Sequence, residues 1–569
     1  MTIEEAFKKD GFKVVGSATR NGKTGYVAEH ETAINHLDGK KKRAYYLEGN
    51  SIQMGYQMGV MANEEVQYMA KDAIRELIAG FIKEEKDKDI IIDIILFIIR
   101  NLVLGAMSDI PFTYIQEMHG IVYGVNKVNM SKRKQTLQFE DVLMLNIGMD
   151  MMVAFMSNPG ELIKLFAETK EAKEKKVTLK ESQLQYPHFC NAYSAFAGAV
   201  KDPNQHFFGR DWMLNAGDVL ENCAALIVVK PTDGRNPLVY AAAPGLVGAA
   251  LAMNSDGVAM GVDLVPAANS KSALDPGFNS ILLVRDSIHR CSSTADVVDH
   301  MVKAPRGVPY IYPVADGKTN RSCIVEAGMK VKKLEPLSYV EKDLLPLLPT
   351  EKFLNENAVN PVEGLVARWN DYKQSKVFME KFNEGLFKNG GSTYNPSVWG
   401  EEGFVFKEPF SDSNSFGFDY FVPERVEKSD FIIATNSWLT PPMNICSMNE
   451  FIMNAQKAFW SDPQWRYDLI NKNILANYGK IDWDIAWKII DLLSPTTGLG
   501  EGKKYYTIEG TPWKLPVVKY KDSDGKEQQT WRVDGMTNLC ELKSEKKVRS
   551  LYGTYADEVV EITLPNYLS

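Results

Sequence analysis

Cysteine is scarce in this chain, and its few cysteines are scattered. Six occur among 569 residues, and no two of them form a Cys-x-x-Cys pair. A zinc site needs paired spacing and a disulfide framework needs a dense set of cysteines, so the sequence indicates neither. The seven histidines contain no His-Glu-x-x-His motif. We therefore expect no bound metal.

The chain also lacks an excess of positive charge. It has 65 Lys and Arg against 73 Asp and Glu, a formal net charge of −8, and its short basic run is Lys40–Arg43. Because nucleic-acid binding depends on a basic surface, a nucleic-acid partner is disfavoured. Phosphate-binding glycine-rich loops and the Gly-x-Ser-x-Gly elbow are missing as well, so no cofactor is expected.

The first residues, MTIEEAFKKDGF, lack the apolar segment of a secretory signal peptide, and we expect a cytoplasmic protein. One long apolar run, Ile90–Met107, is interrupted by Asp93 and Arg100, which lie seven residues apart and share one helix face. This pattern predicts a buried helix with one polar edge rather than a membrane span. The alternative is a peripheral contact with a membrane or lipid.

Apolar periodicity divides the chain into two parts. Residues 1–189 are predicted to be a helical N-terminal segment. From Cys190 onward, short apolar runs separated by turn-forming residues predict consecutive strands of one buried antiparallel sheet. Two helices follow, at Phe278–Arg290 and Thr294–Lys303, before strands return. Residues 190–569 are thus predicted to be the core, with an insertion at about 335–428, and the fold class to be an α+β layered sandwich.

One hairpin concentrates residues capable of chemistry. Mirroring the chain about a turn near Pro203 pairs Cys190 with about Gly217 and returns Arg210 and Asp211 along the same hairpin. An arginine lowers the pKa of a nearby thiol and can hold an anionic substrate, and an aspartate can orient an amine. On the residues alone, a lone cysteine at a strand start is more often a small core residue.

The stretch from Cys190 to Met213, CNAYSAFAGAVKDPNQHFFGRDWM, resembles the processing-site hairpin of cysteine N-terminal-nucleophile (Ntn) hydrolases. It is most similar to the acyl-coenzyme A:isopenicillin N acyltransferase-like family, which is related to the choloylglycine hydrolases and the acid ceramidase-like amidases. Further blocks resemble that family in the same order along the chain: Leu47–Gly49 with Met54–Gly59, Glu117–Ile121, Glu140–Leu143, Pro244–Gly248 with Met253–Val258, Thr435–Ser437 and Ser461–Tyr467.

The resemblance implies a four-layer αββα sandwich that is made as an inactive precursor. The Cys190 thiol would attack the carbonyl of Phe189, and opening of the resulting thioester would leave Cys190 as a new N-terminus. Its amine, with a reference pKa of about 7.7–8.0, would act as the base. The mature enzyme would cleave linear amides, such as an N-acyl amino acid or a fatty-acyl amide, through a thioester and pass the acyl group to water or another acceptor. The two fragments would stay associated.

The resemblance also implies roles for residues far from the hairpin. Asn436 matches the family's oxyanion-stabilising asparagine, and Asp263 occupies the place of a second oxyanion-hole asparagine, where its backbone N–H could still serve. Arg466 matches an arginine that steadies the site. The alternative for Arg466 is an ordinary ion pair of a helix.

Within the hairpin, Arg210 matches the arginine that contacts substrate or nucleophile. Many relatives read Gly-Arg-Asn-x-Asp, whereas this chain has Asp211 and Met213 at the last two of those defined positions. We therefore expect Asp211 to hold the α-amine. The spacing between nucleophile and arginine in the choloylglycine hydrolases would select Ser194 instead, but the Cys-x-Ala-aromatic start favours Cys190.

Two other functions stay open at this point. Asp263 in the oxyanion position and Met213 in the acid position are compatible with a non-catalytic member of the family that acts as a binding or scaffold protein. A phospholipase B-like lipid hydrolase is a further alternative. The main prediction is an amide hydrolase or acyltransferase acting on a small molecule.

Overall fold

The computed structural model describes residues 1–83, 86–132, 136–185, 190–212, 223–332, 363–374, 404–406, 418–420, 425–445, 461–491, 517–521, 524–531, 533 and 535–568. Two residues that the sequence analysis singled out, Phe189 and Met213, lie outside this set. So does most of the predicted insertion at 335–428.

The described strands form an 11-stranded sheet, a six-stranded sheet and two hairpins. The large sheet runs in the order β1 (Phe12–Arg20), β2 (Lys23–Ile34), β3 (Lys41–Gly49), β6 (Ala225–Pro231), β7 (Leu238–Ala242), β8 (Leu251–Asn254), β9 (Val258–Gly261), β11 (Tyr310–Asp316), β12 (Arg321–Ala327) and β13 (Leu365–Trp369), and β10 (Asp263–Leu264) pairs with β11. The six-stranded sheet runs β16 (Phe431–Thr435), β4 (Cys190–Phe196), β5 (His206–Trp212), β19 (Met536–Glu541), β20 (Lys547–Leu551) and β21 (Val560–Thr563). The hairpins are β14 (Phe404–Phe406) with β15 (Phe418–Tyr420) and β17 (Val517–Lys521) with β18 (Glu527–Trp531).

Helices precede, separate and follow these strands. In the first third they are α1 (Ile3–Lys9), α2 (Ser51–Met61), α3 (Asn63–Tyr68), α4 (Ile74–Ala79), α5 (Lys88–Leu102), α6 (Phe112–Ser131), α7 (Phe139–Ser157), α8 (Pro159–Glu168) and α9 (Lys170–Lys175). Later in the chain they are α10 (Ser280–Arg290), α11 (Thr294–Lys303), α12 (Pro441–Ile445), α13 (Ser461–Ala476) and α14 (Trp483–Ile490). The predicted helix pair after residue 278 is confirmed.

The first 49 residues correct the predicted helical character of segment 1–189, because they are mainly β-sheet. Strands β1 and β2 are joined at Asn21-Gly22, whose φ angles of 48° and 78° are those of a tight hairpin turn. Strand β3 then pairs in parallel with β6, which comes after Cys190 in the chain. The segments before and after residue 189 therefore share one sheet.

The strands predicted after Cys190 are present, but the prediction that they form one sheet is wrong. Strands β4 and β5 lie in the six-stranded sheet, whereas β6 to β9 lie in the large one. Nearly every residue of these strands is buried. Because strands that are buried on both faces carry no polar alternation, their sequence does not indicate which sheet they join.

The two sheets share a hydrophobic core. It contains Leu226 and Val239 from the large sheet together with Phe208 and Val548 from the small one. A second core includes Ile227 of the large sheet and buried side chains of helices α2 to α7. The molecule is therefore a mixed α/β structure built around two large sheets.

The apolar run Ile90–Met107 forms most of α5, and the predicted buried helix is confirmed. Its six isoleucines from residue 91 to residue 99 are buried. The exposed large apolar side chains of the run are Phe97, at 57% exposure, and Leu104, at 49%. Contact with a lipid stays a prediction, and these two side chains would have to make it. Within the described part of the chain, no helix is both long and apolar enough to cross a bilayer.

Helices α2 and α6 approach each other closely because both present glycine at their crossing. An added Cβ at Gly55 would lie 2.0 Å from the carbonyl oxygen of Glu117, and one at Gly124 would lie 2.4 Å from that of Tyr56. These contacts are with backbone atoms, which cannot move aside as a side chain can. The crossing fixes α6 against α2 beneath the large sheet.

We expect Gly55→Ala to lower the free energy of unfolding by about 1–3 kcal/mol, because the new methyl group overpacks the helix crossing. Guanidinium denaturation checks this. Gly105→Ala is the matched control, since an added Cβ there meets nothing within 4 Å. Equal unfolding midpoints for the two variants would contradict the close approach of α2 and α6.

Candidate active site

Cys190 is the first residue of β4, and the strand register decides which side chains share its face. Cys190 pairs with Trp212, and Ala192 pairs with Arg210. Directly opposite residues of antiparallel strands lie on the same face and successive residues alternate between faces. Cys190, Arg210 and Trp212 therefore belong to one face of the six-stranded sheet, and Asp211 belongs to the other.

The hairpin register differs from the predicted one. The sequence analysis paired Cys190 with about Gly217, but its partner is Trp212. Residues Ala197–Ala199 form a short 3₁₀ turn directly after β4. Because this turn ends β4 at Phe196, the centre of the hairpin lies closer to β4 than predicted. This shift decides the face on which Asp211 lies.

Cys190 is 2% exposed and lines a cleft. The cleft lies between the start of β4, the helices α4, α7 and α10, and the large sheet. Most of its walls are apolar, from Leu77, Leu145, Met149, Trp212, Leu246, Val262, Leu264, Ile281 and Tyr310. A thiol in such a position can meet an apolar group delivered through the cleft.

The backbone of Cys190 is held on both sides by residues that the sequence analysis singled out. Its N–H donates to Asn436 Oδ1 at 2.5 Å, and its carbonyl oxygen accepts from Arg466 Nη1 at 2.7 Å. Arg466 Nη2 also donates to Asn436 Oδ1 at 3.0 Å. Asn436 directly follows β16, the neighbour of β4, and Arg466 projects from α13. The structure thus brings these two residues together at Cys190.

Arg210 and Asp263 form a buried ion pair near this point. Arg210 Nη2 lies 3.0 Å from Asp263 Oδ1 and also donates to the carbonyl oxygen of Val262. Burial raises the pKa of the Asp263 carboxyl to about 6, and the positive charges of Arg210 and Arg466 oppose that rise. Within the described residues, Nε and Nη1 of Arg210 have no hydrogen-bond partner. The arginine both offsets the Asp263 charge and keeps donors available.

Asp211 reaches Cys190 indirectly. Its Oδ1 accepts from Thr537 Oγ1 at 3.0 Å, and its side chain also bonds to Asn191. Asn191 Oδ1 in turn accepts from Arg466 Nη1 at 2.5 Å, the same nitrogen that bonds to the Cys190 carbonyl. In the intact chain the peptide N–H of Cys190 donates to Asn436 Oδ1, and contact of Asp211 with the free amine stays a prediction.

Burial raises the pKa of the Asp211 carboxyl to about 7, against the opposing hydrogen bond of Thr537 and the charges of Arg210 and Arg466. The pKa of Asp491 is raised well above its usual value by burial and by the charge of Asp211. Sequence reasoning missed both Thr537 and Asp491. Neither lies in a recognisable motif, and only the sheet and α14 bring them close to β5.

Ser194 lies four residues further along β4, on the Cys190 face. Its Oγ lies 2.7 Å from His206 Nε2 and 2.8 Å from Ser322 Oγ, and it is 1% exposed. Burial lowers the pKa of His206 to about 3. Among the described residues, Cys190 lines the cleft and Ser194 does not. No group of three His, Cys, Asp or Glu side chains in the described ranges is arranged to hold a metal ion.

Comparisons with known proteins give relatives of low similarity. No family model matches the chain. An uncharacterized protein of Archaeoglobus fulgidus is 25% identical over 548 residues, which cover 96% of this chain and 68% of that protein. Among solved structures, two variants of a conjugated bile acid hydrolase from Clostridium perfringens are 12% and 11% identical, with TM-scores of 0.30 and 0.28, and each alignment covers 66% of this chain and 92% or 93% of theirs.

A penicillin V acylase from Agrobacterium tumefaciens is 10% identical, with a TM-score of 0.31, over 66% of this chain and 86% of that one.

We expect Asp211→Asn to change how stability depends on pH. The native carboxyl keeps its proton up to about pH 7, whereas an unfolded aspartate loses it near pH 4. The raised pKa of Asp211 should therefore make the free energy of unfolding of the wild type fall as pH rises from 4 through 7. The asparagine variant should lack this fall. Denaturant midpoints at several pH values measure it. The same exchange at Asp89, whose side chain is 89% exposed, is the control; parallel profiles for wild type and Asp211→Asn would contradict the account.

Proposed function

We propose that this chain is the precursor of a cysteine Ntn hydrolase that cleaves linear amides after a break between Phe189 and Cys190. One observation carries the proposal. The backbone of Cys190 is clamped by Asn436 and Arg466 while its side chain lines a largely apolar cleft. A structural core cysteine needs neither feature, whereas a nucleophile whose own amine is the base needs both.

The proposed processing step uses groups that already touch Cys190. Its Sγ attacks the carbonyl carbon of Phe189, the C–N bond to Cys190 breaks, and the nitrogen takes up the proton that leaves the thiol. Water then opens the thioester, which gives the Phe189 carboxyl group and restores the thiol. Asn436 Oδ1, which accepts the Cys190 N–H in the intact chain, would retain the freed amine beside the sulfur.

In the mature site the same atoms would turn over an external amide. The Cys190 amine takes the thiol proton, Sγ attacks the substrate carbonyl, and the proton passes to the departing amine of the substrate. Water then opens the thioester, which releases the acyl group as an acid and restores the thiol. Asn436 Nδ2 donates to the Leu264 carbonyl at 2.6 Å. An amide nitrogen carries two hydrogens, so one remains for the oxyanion. Among the described residues, Nε and Nη1 of Arg210 have no hydrogen-bond partner. Because the register assigns Arg210 to the Cys190 face, these donors would contact the bound acyl group or leaving group.

The architecture supports the proposal in two ways. The core shared by the two sheets, with α2 to α7 against one sheet and α13 and α14 beside the other, supports a four-layer αββα sandwich. Strand β3 pairs with β6 across the proposed break, so the fragments would remain joined by a continuous sheet. Transfer of the acyl group to an acceptor other than water is compatible with the same chemistry.

Intact-mass measurement tests the proposal. The wild type should yield fragments of 189 and about 380 residues, about 21 and 43 kDa of the 63.9 kDa chain. Cys190→Ala should remain a single chain, because no sulfur can attack Phe189. Ser194→Ala should be cleaved like the wild type. A wild type that stays intact would overturn the proposal in favour of a non-catalytic protein, and a break before residue 194 would move the nucleophile to Ser194.

We expect Asn436→Ala to slow the appearance of the fragments about 100- to 1000-fold, because the variant loses a donor to the oxyanion. A time course after synthesis in a cell-free system, resolved by gel electrophoresis, measures the rate. Asn473→Ala on α13 is the matched control, since this asparagine donates to the carbonyl oxygen of Leu469 in its own helix. Equal rates for the two variants would contradict the role of Asn436.

A further inference from the structure

The cleft beside Cys190 contains two asparagines that differ in their hydrogen bonding. Asn146, on α7, is saturated. Its Oδ1 accepts from the backbone N–H of Val247 at 2.7 Å and of Gly248 at 3.3 Å. Its Nδ2 donates to the carbonyl oxygens of Val142 and Gly245, both at 2.9 Å. Asn146 therefore ties α7 to the loop after β7 and has no capacity left for a ligand.

The side chain of Asn279, unlike that of Asn146, lacks hydrogen-bond partners among the described residues. It is 1% exposed and lines the same cleft. Within the described residues, neither its Oδ1 nor its Nδ2 has a hydrogen-bond partner. Buried amide groups are almost always paired in folded proteins, and each exception calls for an explanation. A ligand bound in the cleft would supply the missing hydrogen-bond partners, because the Asn279 carboxamide offers it both a donor and an acceptor.

The reason for the free carboxamide is visible in the neighbouring helix. Asn279 is the N-cap residue of α10, a position where asparagine usually accepts from a backbone N–H of the first turn. Here its side chain makes no such bond. Asp150 of α7 supplies the acceptor instead, taking the Ser280 N–H at 2.6 Å and Ser280 Oγ at 2.7 Å. The capping function is thus carried by another helix, and the Asn279 side chain is left to the cleft.

The surroundings of Asn279 restrict what it can bind. The walls of the cleft are mostly apolar, so the body of the ligand must be apolar as well. Asp150 also lines the cleft and accepts from Tyr310 Oη at 2.6 Å. A carboxylate placed beside Asn279 would face this acidic side chain, whereas a neutral hydroxyl or carboxamide would not.

We propose that Asn279 is a specificity-determining residue that binds a neutral hydrogen-bonding group, a hydroxyl or a carboxamide, carried by an otherwise apolar acyl group of the substrate. This inference rests on the proposed function, because it takes the cleft beside Cys190 as the acyl site. It predicts that acyl amides with a hydroxylated chain are better substrates than the plain chain of equal length.

The test compares amides of 7-amino-4-methylcoumarin with three kinds of acyl group. These are octanoyl, a series of hydroxyoctanoyl groups that differ in the position of the hydroxyl, and an octanoyl chain that ends in a carboxylate. In the wild type, kcat/KM for at least one hydroxylated chain should exceed that for the plain chain at least about 10-fold. The amide whose acyl chain ends in a carboxylate should have the lowest kcat/KM. In Asn279→Leu the preference should vanish, with the plain chain cleaved as well as or better than before. Met149→Leu, in the same wall, should keep the preference.

A stability measurement separates ligand binding from a structural role. Replacing an unpaired buried amide with leucine removes a desolvation penalty, so Asn279→Leu should not lower the melting temperature. Asn146→Leu, which breaks four hydrogen bonds, should lower it. A fall of similar size in Asn279→Leu, or a hydroxyl preference that persists in that variant, would overturn the proposal.

Failure of the proposed function is distinguishable from failure of this inference. Titration calorimetry of the wild type with analogues of these amides in which the carbonyl is reduced to a methylene measures binding without any cleavage. A hydroxyl preference in binding that Asn279→Leu abolishes would support the subsite even if no amide were cleaved. Equal binding of plain and hydroxylated chains would overturn the inference even if the wild type processed itself and cleaved amides.

Discussion

The position of β4 between β16 and β5 is the constraint on which the site depends. This strand starts at Cys190, and its two neighbours supply what surrounds that residue. The end of β16 delivers Asn436 to the Cys190 N–H, and β5 delivers Arg210 to the same face of the sheet. A shift of the register by one residue would move the thiol from the cleft to the opposite face. The sheet therefore fixes which residue of β4 faces the cleft.

Charge balance around Cys190 is the second organising feature. Arg210 and Arg466 are both buried, and the acidic groups that face them are Asp263 and Asp211. A buried cation is tolerated when carboxylates and carbonyl oxygens surround it. Here Arg210 pairs with Asp263 on the Cys190 face of the sheet, and Arg466 donates to the carbonyl oxygen of Cys190.

Much of this arrangement was predictable from the sequence, and the failures have physical causes. The blocks around Cys190, Asn436 and Arg466 are brought together as their resemblance to a known family implied. The side of the sheet taken by Asp211 was not predictable, because it depends on the parity of the hairpin register, and a short 3₁₀ turn after β4 sets that parity. The N-terminal hairpin was missed although Asn21-Gly22 between two alternating runs is a strong local signal.

The other features that could not be predicted depend on contacts between residues far apart in the chain. An asparagine before a helix predicts a capping residue, and Asn279 would be assigned as one from its position. Its side chain makes no capping bond, and Asp150, which is 129 residues earlier in the chain, accepts the backbone N–H and the hydroxyl of Ser280, the first residue of the helix. Likewise, Thr537 bonds to Asp211, and the charge of Asp211 raises the pKa of Asp491, only because β19 and α14 pack beside β5. No local pattern carries this information.

The central claim is that Cys190 becomes an N-terminal residue with a reactive thiol. Alkylation of the purified wild type with iodoacetamide, followed by sequencing of every N-terminus by mass spectrometry, tests it most directly. The account predicts a second N-terminus that reads Cys-Asn-Ala-Tyr and carries one carbamidomethyl group on Cys190. A protein with Met1 or Thr2 as its sole N-terminus, or with an internal start at another residue, would contradict it.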